Sequence, residues 1–125
     1  MSTKADLPAI FEQLRLVMQK HAGDLDVIKD VKGDYSLNGG YSEQYKKVIW
    51  FGGVKKMKNY VSYHLIAVYG CPQLSAELSP ELRRKMHGKS CFNFTQLDAA
   101  TVKELSSLTA RSVEAFRKAR WLAAK

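Results

Sequence analysis

The sequence is poor in most of what marks a specialised class of protein. Its 125 residues include two cysteines, Cys71 and Cys91, too few for a disulfide scaffold, so a reducing cytoplasmic location is expected. Three prolines and eight glycines exclude collagenous and low-complexity chains. No apolar run reaches the ~18 residues of a membrane-spanning helix, and the opening stretch to Pro8 has no signal-peptide core, so no membrane partner is expected. There is no internal repeat. The P-loop, the dinucleotide-binding glycines, the G-x-S-x-G nucleophile turn and H-E-x-x-H are all missing. The three histidines and two cysteines show no pairing by spacing, which argues against an enzyme.

What remains is a single domain long enough to bury one ordinary core. Its formal charge of +8 is unevenly placed: residues 1–40 carry five basic and six acidic side chains, residues 41–60 five and one, and residues 81–125 ten and four. An anionic partner would meet the later two-thirds of the chain.

Hydrophobic periodicity gives the elements. Leu7, Ile10, Phe11, Leu14, Val17, Met18 and His21 fall three and four apart, the stripe of an amphipathic helix capped by Asp6 and stopped at Gly23. Residues 25–37 alternate and predict one half-buried strand, with Asn38-Gly39-Gly40 as the turn after it. A second strand is predicted from Tyr45 to Val54, with a bulge or bend at Gly52-Gly53. A third, Tyr60 to Tyr69, is apolar on both parities and therefore expected to be central. Ser79 and Pro80 open a short helix running to His87-Gly88, Cys91 to Thr95 forms a short strand, and a last helix begins at Asp98 or Thr101. Its core stripe includes Val102, Leu105, Leu108, Val113 and Phe116. This order predicts an α+β two-layer sandwich, an antiparallel sheet with helices packed on one face, with Phe11, Leu14 and Phe116 against the sheet.

Three segments carry a family resemblance. The aromatic-glycine strand Trp50-Phe51-Gly52-Gly53, the turn Lys58-Asn59-Tyr60-Val61-Ser62, and Gly88-Lys89-Ser90-Cys91-Phe92-Asn93-Phe94 together resemble the YdhG-like domains of unknown function. The last two are similar to that family's K-N-H-I-S and G-K-G-T-x-x-F segments. Tyr60 stands where the family usually has His, and Tyr35-Ser36-Leu37 matches its Y-G-M-P-like segment poorly. The resemblance implies a frataxin-like sandwich, and through one relative described as a frataxin-like iron chaperone it raises iron as a cargo.

Iron would need carboxylate oxygens close together. The acidic stretch offers Asp24, Asp26, Asp30 and Asp34, of which Asp26, Asp30 and Asp34 are the metal candidates. Residues four apart on one strand are ~13 Å apart, so each would hold an ion weakly and alone. The soft ligands His64, Cys71, His87 and Cys91 lack a C-x-x-C pair, and a structural zinc is not expected from them.

The other candidate is a ligand face. Lys46, Lys47, Lys55, Lys56 and Lys58 are expected around one hairpin, with Tyr60, Ser62 and His64 sharing a strand face that Asn93 joins from the next strand. Trp50, Lys56, Lys58, Tyr60, Ser62, His64 and Asn93 are therefore the candidate ligand-binding residues. Lysines beside stackable rings suit a small or anionic ligand, a partner protein or single-stranded nucleic acid, although no nucleic-acid motif is present. The expectation is a non-catalytic binding domain that needs no cofactor.

Overall fold

The computed structural model describes residues 6–23 and 25–121, so that Asp24 lies outside the described residues. The first helix, α1 (Leu7–Lys20), begins where Asp6 accepts a hydrogen bond from the Ala9 N–H at 3.2 Å, with Pro8 in its first turn. Its three-and-four spacing buries Ile10, Phe11, Leu14, Val17 and Met18 along one face. His21, just past its end, is half-buried, and its Nε2 lies 3.0 Å from the Ser106 hydroxyl, so the polar tip of the stripe is satisfied.

Five strands follow: β1 (Asp26–Val31), β2 (Asp34–Ser42), β3 (Lys47–Lys56), β4 (Val61–Leu65) and β5 (Cys91–Phe94). They form one sheet in chain order with every pair antiparallel. Between β4 and β5 come three short helices, α2 (Ile66–Gly70), α3 (Pro72–Ala76) and α4 (Pro80–Arg83), and after β5 the long α5 (Ala99–Ala119). Among the described residues no helix is long and apolar enough to cross a membrane.

The alternating segment 25–37 is not one strand but two. The chain reverses at Lys32-Gly33, where Val31 pairs with Asp34, and Asn38-Gly39-Gly40 continues inside β2 instead of turning. The reason lies in the helix layer: a Cβ on Gly39 would come within 2.7 Å of the Phe116 ring and 2.5 Å of the Trp121 carbonyl. Glycine there admits the end of α5 against the sheet and does not signal a turn.

Two further boundaries move for related reasons. The apolar run expected as a strand to Tyr69 leaves the sheet at Leu65, and Ala67 and Val68 are buried from α2 instead. Apolar residues on both parities thus mark a strand followed by a buried helical turn. The helix expected to reach His87 ends at Arg83, because the backbone of 85–87 is used to dress the edge of β5: the Asn93 N–H donates to the Lys85 carbonyl and the His87 N–H to the Cys91 carbonyl. The caps fall as their residues predict. Ser79 Oγ accepts from the Leu82 N–H, and Asp98 Oδ1 from the Thr101 N–H at 2.8 Å, which places the start of α5 at Asp98.

The core lies between α1, α5 and one face of the sheet. One cross-strand row, Tyr35, Val54, Tyr63 and Phe92, runs through β2 to β5 and is entirely buried. α5 is tied to it by the Phe51–Phe116 ring contact at 5.1 Å and by a 2.6 Å hydrogen bond between Tyr63 and Thr109. Phe11, Leu14 and Phe116 are all buried, as the stripes require. The protein is an α+β two-layer sandwich with its long helices on one face of an antiparallel sheet.

Candidate functional site

The second face of the sheet is assembled row by row from residues that alternate with the core. Reading from β1 to β5, one row is Val31, Asp34, Lys55, Ser62 and Asn93, and the next is Lys29, Ser36, Gly53, His64 and Cys91. Trp50 stands on the same face, paired with Asn38. It reaches that position because β3 is bulged at Phe51-Gly52: Leu37 pairs with Gly52 and Asn38 with Trp50, leaving Phe51 as the extra residue. The bulge sends Ile49, Phe51 and Val54 to the core while Trp50 and Gly53 face outward.

The Trp50 indole is fixed from both sides. Its Nε1–H donates to Ser36 Oγ at 2.7 Å, and its ring lies 5.6 Å from the His64 imidazole at a 56° tilt. Ser36 and His64 flank Gly53 in one row, so the indole lies across the space that glycine leaves open. Beyond His64 the face turns polar. His64 Nε2 is 3.0 Å from Ser62 Oγ and 3.8 Å from Cys91 Sγ, and the Cys91 thiol donates to Asn93 Oδ1 at 3.4 Å.

The protonation states follow from position. Burial, and then the charge of Lys55, hold His64 below the ordinary imidazole range. Burial pushes the Cys91 thiol up, and its contact with Ser62 offsets that only partly. At neutral pH the pair is therefore imidazole and thiol, a set of neutral donors and acceptors, and not the imidazolium and thiolate of an activated nucleophile.

His21 is also lowered, by burial first and then by Lys20. Both rings return on unfolding to an ordinary value near 6.5, so the unfolded chain takes up more protons as the pH falls through that point. Stability is thus expected to be full above about pH 6.5 and to decline below it, toward the depressed native values. The denaturation midpoint at pH 7.5 against that at pH 5.5 measures this, and His64→Gln should shrink the difference. Equal midpoints in the native chain would contradict it.

Of the residues singled out from sequence, Trp50, Ser62, His64 and Asn93 are brought together on this face. Lys56, Lys58 and Tyr60 are not. Lys56 pairs with buried Val61 and so faces the helix layer, where it lines a cleft of about 440 Å³ with Phe11, Arg15 and Asp30. Lys58 lies in the β3–β4 turn, and Tyr60 closes that turn through its carbonyl, which accepts from the Met57 N–H. Nor do the lysines gather around one hairpin: Lys46 and Lys47 sit at one end of β3 and Lys55 and Lys56 at the other, roughly 30 Å apart at ~3.3 Å per residue.

Ser36, Lys55 and Cys91 belong to the face, although the ligand-binding set read from sequence omits them. The legible signal was that Ser62-x-His64 and Cys91-x-Asn93 share a period of two on neighbouring strands.

The acidic candidates are dispersed. A bulge between Val27 and Lys29 and the turn at Lys32-Gly33 break the shared parity of Asp26, Asp30 and Asp34. Asp30 pairs with Tyr35 on the helix side and receives Arg15 Nε at 3.1 Å, Asp34 lies on β2 and receives Lys29 Nζ at 3.2 Å, and Asp26 pairs with Asn38. Among the described residues no three of His, Cys, Asp and Glu are grouped to hold a metal ion. Of the soft ligands, His64 and Cys91 meet, while Cys71 lies between α2 and α3 and His87 is exposed. Compared with known protein families, curated proteins and solved structures, the chain matches none.

Proposed function

We propose that this chain is a non-catalytic binding domain of YdhG-like, frataxin-like type whose outward sheet face takes up an anionic ligand carrying a planar ring, of the nucleotide class. The observation that carries the reading is the fixed indole of Trp50. It is locked by Ser36 and His64 on a face opposite both long helices, so stacking on it requires no further ordering of the side chain. Lys55, exposed in the adjoining row, meets the anionic group, and Ser62, His64 and Asn93 offer hydrogen bonds to the ring edge.

Calorimetric titration with mononucleotides and short single-stranded oligonucleotides, at low and moderate salt, tests this. Trp50→Ala is expected to lose ~1–3 kcal/mol of binding. Lys55→Glu should weaken binding and lower its salt dependence by about one counterion, whereas Lys58→Glu, at the turn, should do neither. Binding that grows with oligonucleotide length marks a strand as the ligand, and binding saturated by a mononucleotide marks a small molecule. No binding by the wild type at low salt overturns the proposal.

A further inference from the structure

The ladder of the outward face does not end at β5. Met86 forms a single antiparallel bridge with Phe92, closed by the Asn93 N–H on the Lys85 carbonyl and the His87 N–H on the Cys91 carbonyl. Met86 packs toward the core with Phe92, so by the alternation of extended chain its two neighbours belong to the outward side. Lys85 thus extends the row of Lys55, Ser62 and Asn93, and His87 that of His64 and Cys91; both are exposed. We infer that the ligand of this face is a single-stranded nucleic acid, crossing the sheet from Trp50 and leaving over the β5 edge along residues 83–89. The inference rests on the nucleotide reading and narrows it from a single nucleotide to a chain.

Charge sets the direction. Residues 83–89 carry Arg83, Arg84, Lys85 and Lys89 and no carboxylate, whereas β1, on the opposite edge, carries Asp26, Lys29 and Asp30. A polyanion is drawn to the first edge and not to the second. Arg83 donates to the Ser75 carbonyl at 2.9 Å and Arg84 stands 3.9 Å from Glu81. Lys55, Lys85 and Lys89 make no ion pair among the described residues, and Asp98 acts on Lys85 only from beyond ion-pair distance. The Cα atoms of Lys55 and Lys85 are three strand intervals apart, roughly 14 Å at ~4.8 Å each, which suits two anionic groups of a chain better than one phosphate.

A second ring stands at that edge. Tyr69, in α2, is 60% exposed, and the Lys89 ammonium lies 5.4 Å from its ring centroid. The two flank a groove of about 340 Å³ lined with Val68, Pro72 and Met86. β4 leaves the sheet at Leu65, opposite Gly52, so Trp50 and the start of α2 lie at the same end of the ladder. An acidic peptide would use the lysines and leave both rings idle, and a duplex keeps its base faces in its own stack. A single strand offers phosphates to the lysines and bases to the rings together.

The test is calorimetry of the full chain with mononucleotides and single strands of DNA and RNA, with duplex DNA and polyglutamate as competitors. Affinity is expected to rise at least about fivefold from a mononucleotide to a strand of about four nucleotides, the least that one further stacked base supplies. Tyr69→Ala should weaken the strand by about 5- to 150-fold and leave the mononucleotide unchanged, whereas Trp50→Ala weakens both. Lys85→Gln combined with Lys89→Gln should lower the salt slope of strand binding by about 1.4, at ~0.7 per phosphate contact. Lys32→Gln, at the opposite edge, should not. Independently of any variant, ultraviolet crosslinking of a bromouridine strand, read by mass spectrometry, should mark residues 83–91. A strand no tighter than the mononucleotide, an unmoved affinity in Tyr69→Ala, an unmoved slope in the double lysine variant, crosslinks confined elsewhere, or equal competition by duplex or polyglutamate overturns the inference. Each of these leaves Trp50-dependent mononucleotide binding, and so the nucleotide reading, in place. Binding of neither ligand, or strand binding indifferent to Trp50→Ala, overturns both.

Discussion

Replacing Phe116 by Ala is expected to destabilise the protein by ~3–5 kcal/mol, visible as a lower midpoint in denaturant with an unchanged slope. Phe116 is fully buried, and its ring meets two others edge-on: Phe51 at 5.1 Å and 76°, and Trp121 at 5.3 Å and 90°. It also fills the space over Gly39, so the vacated volume would be bounded by sheet backbone that cannot collapse into it. Trp121 is only partly buried, and Trp121→Ala should cost clearly less. A loss below ~1 kcal/mol in Phe116→Ala would mean that α5 does not close the core.

Gly52→Ala is expected to be as damaging for a different reason. A Cβ on Gly52 would collide with the His64 carbonyl, which is backbone of the paired strand and cannot rotate away. β3 and β4 must separate to admit it, a cost of ~3 kcal/mol or more, at the upper end of what overpacking produces. The same movement displaces His64 from Trp50, so tryptophan emission should change along with stability. Gly70→Ala is the control: nothing lies within 4 Å of its Cβ, and the change should be neutral or stabilising by ~0.4–1 kcal/mol. Equal behaviour of the two variants would show that the bulge tolerates a side chain.

Glycine also explains where the sequence was legible and where it was not. Helix stripes and caps depend on neighbours within one turn, so Asp6, Leu14, Ser79 and Phe116 are readable locally. The role of Gly39 depends on Phe116, far later in the chain, and no local signal separates a turn glycine from one that admits a helix. The same limit applies to the face. Alternation put Ser62 and His64 on one side of a strand, but only the register with β5 sets Cys91 opposite His64. Lys56 does not join the face because β3 runs to Lys56 and pairs it with buried Val61, a register that grouping the lysines around one hairpin does not reveal.

The pinning of Trp121 also bears on how the chain is made. The Gly40 N–H donates to the Trp121 carbonyl, and the Trp121 ring rests 5.9 Å from that of Tyr45, so β2 is held by a residue just past the end of α5. A nascent chain emerges from its N-terminus, and β1 to β4 form from contacts close in sequence as they appear. Their apolar face, however, is covered only by α1 until α5 has been synthesised and has left the ribosome. Closure is therefore a late, long-range event, and until it occurs the part of the sheet that α5 covers stays exposed and open to aggregation. Ribosomes stalled before Phe116 should carry a protease-sensitive sheet, and the released chain should be resistant.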